Sequence, residues 1–161
     1  MKQFLVLVCM LFIYSCGIKK LNQQSAQLIK SDISYIDSLI EISPRNTVVF
    51  IHTEWCSYCK NMKHTTFRNK DIVNTLNNNF NFVSFDGESE KEIEFNGKLY
   101  RYKASGRTSG IHTLAEEIGT NNGVLNYPTL VILDSNYKTL FIQSSFMSTK
   151  ELKLVLENFE D

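Results

Sequence analysis

Trp55-Cys56-Ser57-Tyr58-Cys59-Lys60 is the stretch on which the fold turns. Two cysteines stand three positions apart, directly after the apolar run Val48-Val49-Phe50-Ile51. If that run is a buried strand and the cysteines open a helix, both sulfurs sit at the helix start, one turn apart on one face. Such a placement suits a disulfide that opens and closes.

The neighbouring segments supply a frame for it. Residues 47–52 are β-branched and apolar with almost no alternation, as in a central strand covered on both faces. The cysteine helix is predicted to run to about residue 77, with a break near 67–71, and residues 81–86 read as a second strand. Upstream, Ile29, Ile33, Ile36 and Ile40 recur at helical spacing and predict a helix over 26–42. Pro44 stops it, because the residue before a proline avoids the helical region. An α-β-α-β order implies parallel strands in a layered α/β domain.

Further on, Asn96-Gly97 between alternating apolar residues signals a hairpin over 93–102. Residues 104–110 read as a loop, and Ile111, Leu114, Ala115 and Ile118 as a short amphipathic helix ending near Gly119. Tyr127-Pro128-Thr129 leads into a buried strand at 130–133, and 139–143 returns as an antiparallel partner. Ser148 with Glu151 forms a capping box for a last helix, with Leu152, Val155, Leu156 and Phe159 as its buried stripe.

A strand, then Trp-Cys-x-x-Cys-Lys, then a later Tyr-Pro-Thr before another strand resembles the thioredoxin superfamily. The nearer likeness is to exported bacterial thioredoxin-like proteins whose active site continues as Lys-x-Met and Thr-Phe, here Lys60, Met62, Thr66 and Phe67. The resemblance spans residue 46 to the C-terminus, with 96–119 as an insertion. It implies a thioredoxin fold of the α/β class: a central mixed sheet flanked by helices, with an inserted hairpin and short helix between the βαβ and ββα halves. It also implies a cis Pro128 facing the cysteines and a Tyr127 backbone free to pair with an extended substrate segment. The activity implied is thiol–disulfide exchange, as a reductase or isomerase.

The chemistry has its own physical basis. A thiolate attacks a disulfide; a thiol does not. Free N–H groups and the positive end of the helix dipole favour the Cys56 anion and lower its pKa below the usual value of about 8.5. Cys56 is thus expected to be the exposed nucleophile and Cys59, one turn deeper, the resolving thiol. Lys60 either adds positive charge nearby or points to solvent. Trp55 and Tyr58 flank the cysteines with aromatic surface: Trp55 serves docking and local packing together, and Tyr58 tunes redox potential and access. Ser57-Tyr58 differs from the Gly-Pro of ordinary thioredoxin, so the potential is not transferable.

One position departs from the family. Ordinary thioredoxin carries a buried Asp where this chain has Phe50. His52, two residues along on the same face, is a possible proton acceptor for Cys59, or else a packed imidazole; Glu54 is a weaker candidate. His64 and His112 read as surface or ordinary helix residues.

The 161 residues, 43% hydrophobic and 12% aromatic, suit a single domain with a core of its own. Seventeen basic residues balance seventeen acidic ones, which argues against a nucleic-acid partner. The N-terminus is distinctive: Lys2, an apolar run over 4–14, then Ser15-Cys16-Gly17. That run falls short of the roughly 20 apolar residues of a membrane span and reads as an export signal over 1–15. Ile13-Tyr14-Ser15-Cys16 resembles a bacterial lipobox, which implies lipid on Cys16, a tether over 16–25 and a thioredoxin-like domain over 26–161. A cleaved signal with an incidental Cys16, or an uncleaved anchor, is the alternative.

Of four cysteines, Cys9 leaves with the signal and Cys16 takes lipid, so only Cys56 and Cys59 can pair within the domain. A disulfide closing so small a loop stabilises by only about 2 kcal/mol, which points to chemistry. Haem attachment requires His at position 60, and structural zinc requires four ligands. No metal and no cofactor is expected. The reading is a monomeric exchange protein, anchored to the cell envelope through lipid on Cys16. It faces the periplasm, with the outer membrane favoured by Gly17 after Cys16. Its partners are exported proteins with cysteines or disulfides and a membrane electron donor. A copper carrier using two cysteines and a histidine, or a non-catalytic binding module, is the alternative.

Overall fold

Thr47–His52 is buried along its whole length in the computed structural model, which describes residues 27–160. In chain order the elements are β1 (Ser31–Asp32), a 3₁₀ turn (Ile33–Tyr35), α1 (Ile36–Ile42), β2 (Thr47–His52) and α2 (Ser57–His64). A second 3₁₀ turn (Thr66–Arg68), α3 (Lys70–Asn79) and β3 (Asn81–Asp86) follow. Then come β4 (Ile93–Phe95), β5 (Lys98–Tyr100), β6 (Tyr102–Ala104), β7 (Gly110–His112), α4 (Thr113–Gly119), β8 (Thr129–Leu133), β9 (Thr139–Gln143) and α5 (Thr149–Glu157).

The main sheet has the order β1-β3-β2-β8-β9. β2 pairs parallel with β3 and antiparallel with β8, so its backbone is satisfied on both edges. Its side chains alternate between two cores. Val49 and Ile51 face one cluster with Ile36, Ile40, Phe85 and Leu114. Val48 and Phe50 face the other with Cys56, Cys59, Met62, Leu76 and Leu152. Full burial of such side chains contributes about 1.5–3 kcal/mol each. This is the mixed sheet flanked by helices that the resemblance implies.

The N-terminal helix expected over 26–42 is shorter than its periodicity suggests. Ser31 and Asp32 instead pair parallel with Val83 and Ser84, where the edge of β3 has free backbone groups. The Asp32 carboxylate then accepts the Ser34 N–H at 2.9 Å and starts the 3₁₀ turn. Ile33, Ile36 and Ile40 are buried as the spacing requires, but Ile29 is 70% exposed. The expected signal segment, the expected lipid site Cys16 and the expected tether lie outside the described residues. No helix among the described residues is long and apolar enough to cross a membrane.

The Asn96-Gly97 hairpin forms with both turn residues at positive φ, 51° and 71°, as a two-residue turn requires. The loop expected over 104–110 is present at 105–109, where it joins two short strands that the sequence did not signal, β6 and β7, into a second hairpin. Gly110 permits it: a Cβ there would lie 2.3 Å from the Tyr102 ring. His112 is fully buried, contrary to its reading as a surface or ordinary helix residue. It caps α4 by accepting the Leu114 N–H on Nδ1, so Nε2 carries the proton and donates to the Lys91 carbonyl at 3.0 Å. Burial lowers its pKa.

Candidate functional site

The cysteines sit where β2 hands over to α2. Cys56 is the N-cap of α2, with extended backbone, and its Sγ accepts the Cys59 N–H at 3.0 Å. A sulfur at this position meets one of the N–H groups that a helix start leaves without a partner. The two cysteines form a disulfide, with their Cα atoms 5.3 Å apart. Cys59 is the deeper, at 1% exposure, and lies in the core cluster with Met62 and Phe67. Cys56 is expected to be exposed but is only 4% exposed in this oxidised form. Bonding to Cys59 holds its sulfur against the same cluster.

An elbow behind α2 fixes the helix. Thr66 donates its hydroxyl to the Met147 carbonyl at 2.8 Å, and the Met147 N–H reaches the Met62 sulfur at 3.5 Å. The cysteine helix is thereby tied to the segment that leads into α5.

Aromatic groups border the site. Trp55 is 66% exposed and donates its indole N–H to both carboxylate oxygens of Glu88 at 3.0 Å. Its ring meets Tyr127 edge-on, with centroids 5.9 Å apart. Tyr58 is 65% exposed and lies 6.5 Å from Phe146. Ser57 and Lys60 are exposed. Pro128 is buried, and the Tyr127–Pro128 bond is cis. The Tyr127 hydroxyl is buried with no hydrogen-bond partner among the described residues. Burial, aided by the charges of Glu88 and Asp86, pushes its pKa up to about 12.

Beneath the cysteines the floor is aromatic. Phe50 packs edge-on against Phe67 at 4.8 Å, and Phe67 against Phe82 at 5.1 Å. His52 follows on the same face, 5.4 Å from the Phe50 ring. It is tied on both nitrogens: Nδ1 lies 3.1 Å from Lys63 Nζ and Nε2 lies 3.0 Å from Ser84 Oγ. The lysine must donate, so Nδ1 accepts and Nε2 carries the proton towards Ser84. Burial, then the Lys63 charge, pushes His52 down to about 4. Burial also lowers the Lys63 ammonium.

Glu54 and His64 are exposed and make no hydrogen bond or ion pair among the described residues. No three His, Cys, Asp or Glu side chains gather there as a possible metal site.

Sequence reasoning passed over Lys63, Ser84, Gly87 and Glu88. Glu88 stands in a turn outside any periodic pattern, so only the fold brings it to Trp55. Gly87 lies against Tyr127: a Cβ there would sit 2.5 Å from the tyrosine hydroxyl oxygen.

A family described as thioredoxin-like domain matches residues 38–160. Among solved structures, a thioredoxin from Thermus thermophilus superposes with a TM-score of 0.59 at 17% identity, covering 82% of this chain and 86% of that one. A structure titled DsbH oxidoreductase also reaches 0.59, at 13% identity, covering 89% and 92%. A thioredoxin-fold protein from Helicobacter pylori reaches 0.56 at 19% identity, covering 73% and 70%. A search of curated proteins finds no match. At these identities the structural likeness establishes the fold.

Proposed function

The chain belongs to the thioredoxin-like domain family, and on that premise we propose that it is a thiol–disulfide oxidoreductase of the bacterial cell envelope. One observation carries the reading: Cys56 caps α2 with its sulfur on the Cys59 N–H at 3.0 Å. The same donor that meets the disulfide sulfur in the oxidised form meets a thiolate in the reduced form, where it is worth more.

The exchange then runs in two steps. The Cys56 thiolate attacks one sulfur of a substrate disulfide; the substrate S–S bond breaks, and the other substrate sulfur leaves as a thiolate and takes a proton. Cys59 loses its proton and attacks Cys56 Sγ. The mixed disulfide breaks, the second substrate thiolate leaves, and the Cys56–Cys59 bond of this structure forms. Two electrons pass to the substrate. Return to the dithiol needs an electron donor, for which a membrane partner is the proposal.

His52 is neutral at pH 7, with both nitrogens engaged by Lys63 and Ser84. A base this weak is a poor acceptor for the Cys59 proton. Trp55 and Tyr58 present the aromatic surface on which exported proteins would dock. Pro128 brings no metal-binding side chain, and Tyr127 presents its backbone to an extended substrate. Lipid on Cys16 would hold the domain, as a monomer, to the outer membrane facing the periplasm.

The experiment is Cys59→Ser followed by capture of mixed disulfides in living cells. Exported proteins trapped through Cys56 support exchange. An empty trap, with tight Cu(I) binding by the purified protein, would replace this reading with copper carriage. A Cys56–Cys59 pair that is mostly oxidised in cells would reverse the proposed direction.

A further inference from the structure

Away from the cysteine docking surface, α2, the 3₁₀ turn after it and β3 border an open cleft of about 650 Å³. Its floor is apolar, with Phe50, Phe67 and Phe82 all buried. Its rim is cationic, with Lys30, Lys63 and Arg68 lining it and no Asp or Glu among the lining residues.

None of the three rim cations makes an ion pair among the described residues. The ion pairs there engage Lys91, Lys98, Arg101 and Lys103. Glu54 and Asp86 act on Lys63 through space, but neither lines the cleft. Lys63 is anchored on the imidazole of His52, a neutral acceptor that makes no ion pair with it.

An apolar floor under three positive groups repels cations and offers nothing special to a neutral polar solute. It is complementary to a molecule with an apolar body and an anionic end. The volume is in the range of about 300–1,000 Å³ that holds a small organic ligand. The chain's own preceding segment is a poor occupant on charge: residues 17–26 carry Lys19 and Lys20 and no acid.

We propose that this cleft binds an amphipathic anion, its apolar body against Phe50, Phe67 and Phe82 and its carboxylate or phosphate against Lys30, Lys63 and Arg68. The site is independent of the exchange reaction proposed above, although Phe50 and Phe67 wall both the cleft and the cluster that holds the cysteines. The cleft is concave, in contrast to a bilayer surface.

The test is calorimetric titration of the full chain with octyl phosphate and with octanoate, each below its micelle concentration. Saturable binding at one site is expected for both, and none for 1-octanol or inorganic phosphate at equal concentration. Lys30→Glu with Arg68→Glu should weaken binding by at least about tenfold. Both side chains are exposed and outside the exchange machinery, so disulfide reduction should be unchanged and should certify the fold. Equal binding of 1-octanol, equal binding of inorganic phosphate, or affinity indifferent to the two charge reversals would each overturn the proposal. Displacement of octyl phosphate by phosphatidylglycerol vesicles would overturn it in favour of a membrane surface.

Discussion

Lys63 Nζ lies 3.1 Å from His52 Nδ1, on an imidazole whose other nitrogen meets the Ser84 hydroxyl and whose ring lies against Phe50. Burial and this lysine hold the folded-state pKa of His52 at about 4, against 6.5 for a free histidine. The group therefore takes up a proton more readily in the unfolded chain. Stability should be fully present above about pH 6.5 and decline as pH falls towards 4. The loss is on the order of 3 kcal/mol. His52→Gln should flatten denaturant-derived stability between those limits. An unchanged slope would assign the acid sensitivity to other groups.

The two cysteines differ in depth as well as in partners. In this oxidised form Cys56 carries the capped sulfur, and Cys59 is the deeper of the two in the cluster with Met62 and Phe67. Alkylation of the reduced protein by iodoacetamide near neutral pH should label Cys56 first, with Cys59 slower by at least about tenfold, because only an accessible thiolate reacts. Peptide mapping of briefly treated protein measures this. Equal labelling would show that reduction opens the site.

Trp55 is the single tryptophan of the chain, so its fluorescence reports on the Glu88 contact without ambiguity. Glu88→Gln keeps the size of the side chain and removes its charge. Both partners are accessible, so the stability change should stay within about 1 kcal/mol. The emission of Trp55 should shift nonetheless. An unshifted spectrum would mean that the indole does not hold the carboxylate in solution.

Tyr127 and Gly87 make a paired prediction. The Tyr127 hydroxyl is buried without a hydrogen-bond partner among the described residues, so Tyr127→Phe should be neutral or stabilise by up to about 1 kcal/mol. Gly87→Ala places a methyl 2.5 Å from that hydroxyl oxygen and should cost about 1–3 kcal/mol. Thermal melts of both variants decide it. A large loss in Tyr127→Phe would reveal an ordered water on the hydroxyl.

What could be read from the chain follows from how local each signal is. The strand Thr47–His52, the cysteine pair at a helix start, the Asn96-Gly97 turn and the Ser148–Glu151 cap are each written within a few residues. β1 was hidden because Ser31-Asp32 has no strand character of its own and forms only on the free edge of β3. β6 and β7 are three residues each around a polar loop, too short to show alternation. In the site, Cys56, Cys59 and Pro128 are legible from a motif. Glu88 and Lys63 act through contacts 33 and 11 residues distant, to which no local pattern points.

Phe50 is where this chain departs from the thioredoxin pattern, and the structure explains why an acid would not be tolerated there. Its ring is buried, 4.8 Å from Phe67 and 5.4 Å from His52. Phe50→Ala should cost about 3–5 kcal/mol through the lost ring and the space it leaves. Phe50→Asp loses the same ring and also moves a carboxyl among aromatic side chains. Desolvation disfavours its charged form and raises its folded-state pKa above the unfolded value of about 3.9. The added penalty should therefore be small near pH 4 and grow as pH rises through the folded pKa, because the unfolded chain then releases its proton more easily. Denaturant unfolding of both variants at pH 5 and pH 8 separates the two effects. Phe50→Asp should lie below Phe50→Ala by no more than about 1.5 kcal/mol at pH 5 and by more at pH 8. Equal losses at both pH values would mean that water from the neighbouring cleft solvates the carboxylate, and that the aromatic floor is open to solvent after all.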